Sequence, residues 1–134
     1  MNRAFLCSAI GGLVSQSGYH FQQDDKVHYP TAVCRYPAAF LAQPEFHSIE
    51  GRKRGRITYK VNLRLAQLGA KLSPAERNNL LNEMEETMLN LFAALSETER
   101  VAVVDKLTIS PCSGTIDVHG ALAIEAEAYV TTIF

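Results

Sequence analysis

This sequence predicts an α+β fold: a single antiparallel or mixed sheet with two helices packed on one of its faces. Three features carry that expectation. Residues 56–66 and 122–132 each alternate apolar and polar side chains with a period of two, the pattern of a strand buried on one face. Residues 73–95 join a helix-start signal to an apolar stripe at helical spacing. A second helical stripe opens the chain, so helices and strands come in groups rather than in strict βαβ alternation.

Residues 3–15 place Phe5, Leu6, Ala9, Ile10, Leu13 and Val14 on one stripe of a helix. Gly11 and Gly12 weaken its interior by about 1 kcal/mol each relative to Ala, and Gln16-Ser17-Gly18 ends it. Residues 19–29 mix aromatic side chains with Gln, Asp and His, which fits a short strand before a turn that Pro30 closes. Residues 32–42 are apolar enough for a strand. Pro37, which has no N–H, puts that strand at a sheet edge or on a bulge.

The turn Gly51-Arg52-Lys53-Arg54-Gly55 then leads, as one end of a long hairpin, into the clearest strand of the chain. There Ile57, Tyr59, Val61, Leu63 and Leu65 face one way, and Arg56, Thr58, Lys60, Asn62 and Arg64 the other. Ser73, Pro74 and Glu76 read as the N-cap, N1 and N3 positions of a capping box. The helix they start turns Leu80, Leu81, Met84, Met88, Leu91, Phe92 and Leu95 inward and Glu76, Asn79, Asn82, Glu83, Glu86 and Asn90 outward. Residues 101–109 form a strand stopped by Ser110-Pro111. In the last strand Leu122, Ile124, Ala126, Ala128, Val130 and Thr132 oppose Glu125, Glu127, Tyr129 and Thr131.

With 134 residues, 47% of them apolar and 20% charged, a single globular domain, 1–134, is expected. Thirteen Lys and Arg against fourteen Asp and Glu leave a net charge of −1, which gives no general attraction to nucleic acid or an acidic membrane. No specific nucleic-acid binding and no membrane association are therefore expected. No stretch approaches the ~18 apolar residues of a membrane span. Three widely spaced cysteines, Cys7, Cys34 and Cys112, fit buried thiols in a reducing setting better than a disulfide framework. The first residues loosely imitate a signal peptide, but Ser8, Gly11 and Gly12 interrupt the apolar run and its helical stripe favours a retained helix.

No motif for catalysis or metal binding emerges. His20, His28, His47 and His119 lack metal-site spacing. Asp117 and His119 share one side of an extended segment, but Ser110, Cys112 and Ser113 beside them have no nucleophile-elbow setting. The expectation is a protein that is not an enzyme and uses no cofactor. Charge is densest in the basic turn, Arg52, Lys53, Arg54 and Arg56, and its counterpart is the acidic helix face of Glu76, Glu83 and Glu86. These seven residues are the candidate subunit or partner interface, because a head-to-tail contact between copies needs two different, complementary patches on one subunit. Arg56, Lys60 and Arg64 also stand where Glu125 and Glu127 can pair with them across strands, or where a neighbour can meet them.

The strand around Tyr36-Pro37-Ala38-Ala39-Phe40-Leu41, the long strand Ile57-Thr58-Tyr59-Lys60-Val61-Asn62-Leu63 and the capped helix 73–95 come first. Val104 to Ile109 and the closing His119-Gly120-Ala121-Leu122-Ala123-Ile124-Glu125-Ala126 follow. In this order they resemble the tail terminator, or tail completion, proteins of tailed bacteriophages and prophages, the minor tail protein U-like family. The resemblance spans nearly the whole chain in length and element order, and residues 19–30 fall outside its pattern. It implies a small subunit assembling as a hexameric ring that caps the tail tube, stops its growth and offers the head-joining surface. It further implies tail-tube and head-connector partners, a place in the virion tail after assembly in the bacterial host cytoplasm, and no cofactor. A head-completion or connector ring subunit fits the same pattern. Composition and patterning alone also accommodate a small α+β binding or regulatory domain that dimerises through its sheet.

Overall fold

A computed structural model describes residues 2–24, 36–51, 55–68, 71–111 and 121–134 of the chain. In order, the elements are α1 (Asn2–Gln16), β1 (His20–Asp24), β2 (Ala38–Ala42), β3 (Glu45–Glu50), β4 (Arg56–Leu68), α2 (Pro74–Ser96), β5 (Val101–Pro111) and β6 (Ala121–Ile133). The strands form one sheet in the order β1-β2-β4-β6-β5, and β3 shares with β2 the same edge of β4. Among the described strands only β1 and β2 run parallel, so this α+β fold carries a mixed sheet.

The two strands of strict alternation are its centre. β4 and β6 pair antiparallel without a register shift from Arg56↔Ile133 to Leu68↔Ala121. Val61, Leu63, Leu65, Ile124, Ala126, Ala128 and Val130 therefore share one face, all of them fully buried. Both helices cover that face. Leu6, Ile10 and Val14 of α1 join Met84, Met88, Leu91, Phe92 and Leu95 of α2 and the strand residues in one apolar cluster. Burying a Leu- or Met-sized side chain is worth roughly 1.5–3 kcal/mol, so this cluster dominates the fold's stability.

Lengths match in the two layers. The 13 residues of β4 span roughly 43 Å at about 3.3 Å per residue, and the 23 residues of α2 roughly 35 Å at 1.5 Å per residue. α2 thus runs back over the sheet from the Leu68 end to the Arg56 end. It delivers the chain to β5, whose Val101 pairs with Thr132. Its start is built as expected: the Ser73 side chain accepts from the Glu76 N–H at 3.2 Å, the Glu76 carboxylate accepts from the Ser73 N–H at 3.4 Å, and Pro74 follows the cap. At the other helix, Gly18 makes the turn into β1 at φ +87, a conformation that side-chain-bearing residues rarely adopt.

Three strand expectations need correction. β2 is an interior strand between β1 and β4, not an edge. Pro37 sits just before its ladder, where no N–H is needed, and the Pro37 carbonyl accepts from His20 N at 2.8 Å. The hairpin partner of β4 at the basic turn is β3, a separate strand, with Glu50 opposite Arg56. A register shift between Phe46 and Ser48 breaks the alternation by which β3 could have been read. β5 also runs on to Pro111, which pairs with Ile124 at the sheet edge, where a missing N–H is tolerated. The turn expected before Pro30 and those at 113–114 and 119–120 lie outside the described residues.

The two glycines of α1 are not equivalent. A methyl at Gly11 comes within 3.0 Å of the Phe21 ring, whereas one at Gly12 meets nothing within 4 Å. Gly12→Ala is expected to stabilise the protein by about 0.5–1 kcal/mol in urea unfolding. Gly11→Ala should gain less or lose, because Phe21 must give way. Ser73→Ala is expected to cost about 1 kcal/mol in the same assay through loss of the cap.

Candidate functional site

The sheet face turned away from the helices carries a polar ladder across β4 and β6. The Arg64 guanidinium lies 3.2 Å from the Glu125 carboxylate, which also accepts a hydrogen bond from the Asn62 side-chain amide. One step along, Lys60 and Glu127 are 3.4 Å apart, and that carboxylate holds the Lys60 pKa above its ordinary value. The Thr58 and Thr131 hydroxyls share a hydrogen bond of 2.8 Å. His47 packs edge-on against Tyr129 at 4.7 Å. Cross-strand pairing of the strand charges, one of the two roles open to them, is thus their role within the subunit. Towards the Leu68 end this face is not wet: Ala38, Phe40, Ala66 and Ala123 form a second buried cluster against Tyr36. Alternation alone does not reveal it, because small alanines supply most of its members.

At the Arg56 end the start of α1 is tied to the sheet. Asn2 donates to the Thr132 hydroxyl at 2.9 Å, and Thr132 donates to the Ile57 carbonyl at 3.1 Å. Arg100 donates to the Asn2 side-chain oxygen at 3.2 Å and stacks over Phe5 at 4.5 Å. Arg3 lies over Tyr59 at 5.6 Å. Near the opposite end, the buried Tyr19 hydroxyl accepts from the Gln67 amide at 2.7 Å. Burial pushes the Tyr19 pKa above its ordinary value; the Gln67 bond pulls it down, and the Glu83 charge adds to the rise. Cys7 is a buried thiol whose sulfur accepts from Gln23 at 3.1 Å. Cys34, Cys112, His28, Asp117 and His119 lie outside the described residues, and so do Arg52, Lys53 and Arg54.

Of the candidate interface residues, Arg56 opens β4, exposed and opposite Glu50 and Ile133. Glu76, Glu83 and Glu86 are exposed on α2, and Glu76 also closes the helix cap. The fold does not bring Arg56 to these glutamates. Arg56 belongs to the arm made by β3 and the start of β4 at one side of the sheet, whereas α2 packs on β5 and β6 at the other.

Sequence patterning missed a third feature. Phe46 and Ile49 on β3 are 55% and 54% exposed, and Leu89 on α2 is 53% exposed. Phe46 and Ile49 pair with Tyr59 and Ile57, so they lie on the helix side of the sheet, beyond the helices. The only signal for them was two apolar residues set between glutamates in Glu45-Phe46-His47-Ser48-Ile49-Glu50. Phe134 is held against the arm: its N–H donates to the Gly55 carbonyl at 3.0 Å and its ring fills the space a side chain at Gly55 would need.

Among the described residues, no group of three or more His, Cys, Asp or Glu is placed to hold a metal ion. No described helix is long and apolar enough to cross a membrane. The chain matches no known protein-family model and no curated protein.

Two measurements check this chemistry. Glu125→Ala is expected to cost about 2 kcal/mol in urea unfolding, because Asn62 and Arg64 lose a shared, half-buried acceptor. Glu127→Ala should cost much less, since its pair with Lys60 is more open to water. Tyr19 should ionise above the ordinary tyrosine range in a spectrophotometric titration. Because the unfolded chain releases that proton first, its contribution to stability is full below the ordinary tyrosine pKa of about 10 and falls as pH rises above it. Tyr19→Phe should flatten that alkaline loss.

Proposed function

We propose that this protein is a structural subunit that assembles head to tail into a closed ring. By its resemblance in element order, we read that ring as the tail terminator of a phage or prophage, capping the tail tube and presenting the head-joining surface. The observation that carries this reading is the separation of the charged sets. Arg56 belongs to the arm at one side of the sheet, and Glu86 is exposed on α2, which packs on β5 and β6 at the other. Complementary patches that cannot meet within one subunit are what a heterologous contact uses, and such contacts close into rings when the rotation between neighbours permits.

Dimerisation through the sheet is less well supported. β5, one outer edge, has two register shifts, with left-handed backbone at Lys106. Bulges and lysines of this kind blunt an edge against pairing. Along the edge of β3 that no described strand pairs, the antiparallel register that pairs all six residues with a second copy sets Glu45 against Glu50 twice. Like charges directly opposite destabilise such a pair.

Charge reversal tests the reading. Arg52→Glu, Lys53→Glu and Arg54→Glu together are expected to abolish assembly in sedimentation velocity while the circular dichroism of the subunit is unchanged. Adding Glu86→Lys to that variant should restore assembly. Assembly indifferent to both changes contradicts the proposal.

A further inference from the structure

We propose that the apolar shelf formed by Phe46 and Ile49 on β3 is the seat for α2 of a second copy of this chain, with Leu89 as the residue that docks on it. This deepens the ring reading and rests on it. The shelf is sheet surface on the helix side with no described helix above it: Phe46 and Ile49 are more than half exposed, while Tyr59, beside Phe46, is already buried under the start of α1. Arg3, over the Tyr59 ring, borders the shelf with positive charge.

The matching surface is on α2. Leu89 stands one helical turn after Glu85 and Glu86, and all three are exposed. At about 100° per residue, Leu89 and Glu83 fall on opposite flanks of the helix. Glu83 marks the flank near Tyr19, and hence α1 and β1. Leu89 is therefore on the β5 side, across the molecule from the shelf. The levels agree too. Leu89 lies roughly 10 Å along α2 from its Ser96 end, and residues 56–60 of the arm cover roughly the first 13 Å of the sheet from that same end.

Shelf and ridge are thus opposite in charge, both apolar at the centre and on opposite flanks at one level. A neighbour's α2 laid beside α1 continues the helix layer from subunit to subunit. An exposed apolar residue framed by complementary charge has the make-up of an interface core with a polar rim.

Engineered cysteines test this directly, in a full-length background with Cys34→Ser and Cys112→Ser. Under mild oxidation, the Ile49→Cys, Leu89→Cys double variant is expected to give a ladder of cross-linked oligomers. Each single variant alone should stay uncross-linked, and an equal mixture of the two singles should stop at dimers. Light scattering on the reduced double variant reports separately whether assembly persists. Assembly without a ladder overturns the shelf contact and leaves the ring reading standing. Dimers from Ile49→Cys alone overturn it in favour of two shelves face to face. A protein that neither assembles nor cross-links at high concentration overturns both.

Discussion

The pairing of β4 with β6 is the constraint on which the rest of this structure depends. It runs without a bulge from Arg56↔Ile133 to Leu68↔Ala121. Because side chains alternate along a strand, that one register puts Val61, Leu63, Leu65, Ile124, Ala126, Ala128 and Val130 on the helix side and every charge of both strands on the other. A slip by one residue would bury Arg64 and Glu125 under the helices and put Leu63 and Ala126 in water. The cross-strand contacts of Asn62, Arg64 and Lys60 with Glu125 and Glu127 form only in the observed register, so the polar face reinforces what the core demands. The helices then follow from length: α2 nearly spans the strand it covers, and α1 lies beside it in the same layer.

What was legible in the sequence is what obeys a period. The alternation of residues 56–66 and 122–132 foretold the central strands and their faces, and Ser73, Pro74 and Glu76 foretold the cap that the structure contains. Period failed where the backbone departs from regularity. The bulge at His47 hid β3, and Pro37 misled because proline is excluded from a ladder but not from the residue before it. For the proposed interface, Arg56, Glu76, Glu83 and Glu86 were chosen by charge alone. Phe46, Ile49 and Leu89 were missed because nothing in a single sequence separates an exposed apolar residue from a buried one until the partners on its face are known.

The proposed assembly would give these exposed residues a common purpose. Lone apolar residues on a surface need no explanation, but here they sit at matched levels on two flanks with opposite charge around them. Within the subunit the strong polar pairs are already used, Glu125 with Arg64 and Glu127 with Lys60, so the outer sheet face is internally neutralised. Among the described residues, the arm with Arg56 and the outer side of α2 with Glu85, Glu86 and Leu89 are where exposed charge and apolar surface coincide. In the ring we propose, such a subunit would meet its neighbours edge to edge along the helix layer, with the paired sheet face turned to what the ring encloses or stacks upon.

The most direct measurement is the mass of the protein in solution by light scattering over a concentration series, with the particles viewed by negative-stain electron microscopy. The account predicts a closed particle with a fixed number of subunits, six by the tail-terminator resemblance, growing in population rather than in size as concentration rises. A two-fold dimer at every concentration would contradict it, because an isologous contact satisfies one flank of the subunit against itself and leaves no complementary patches to close a ring.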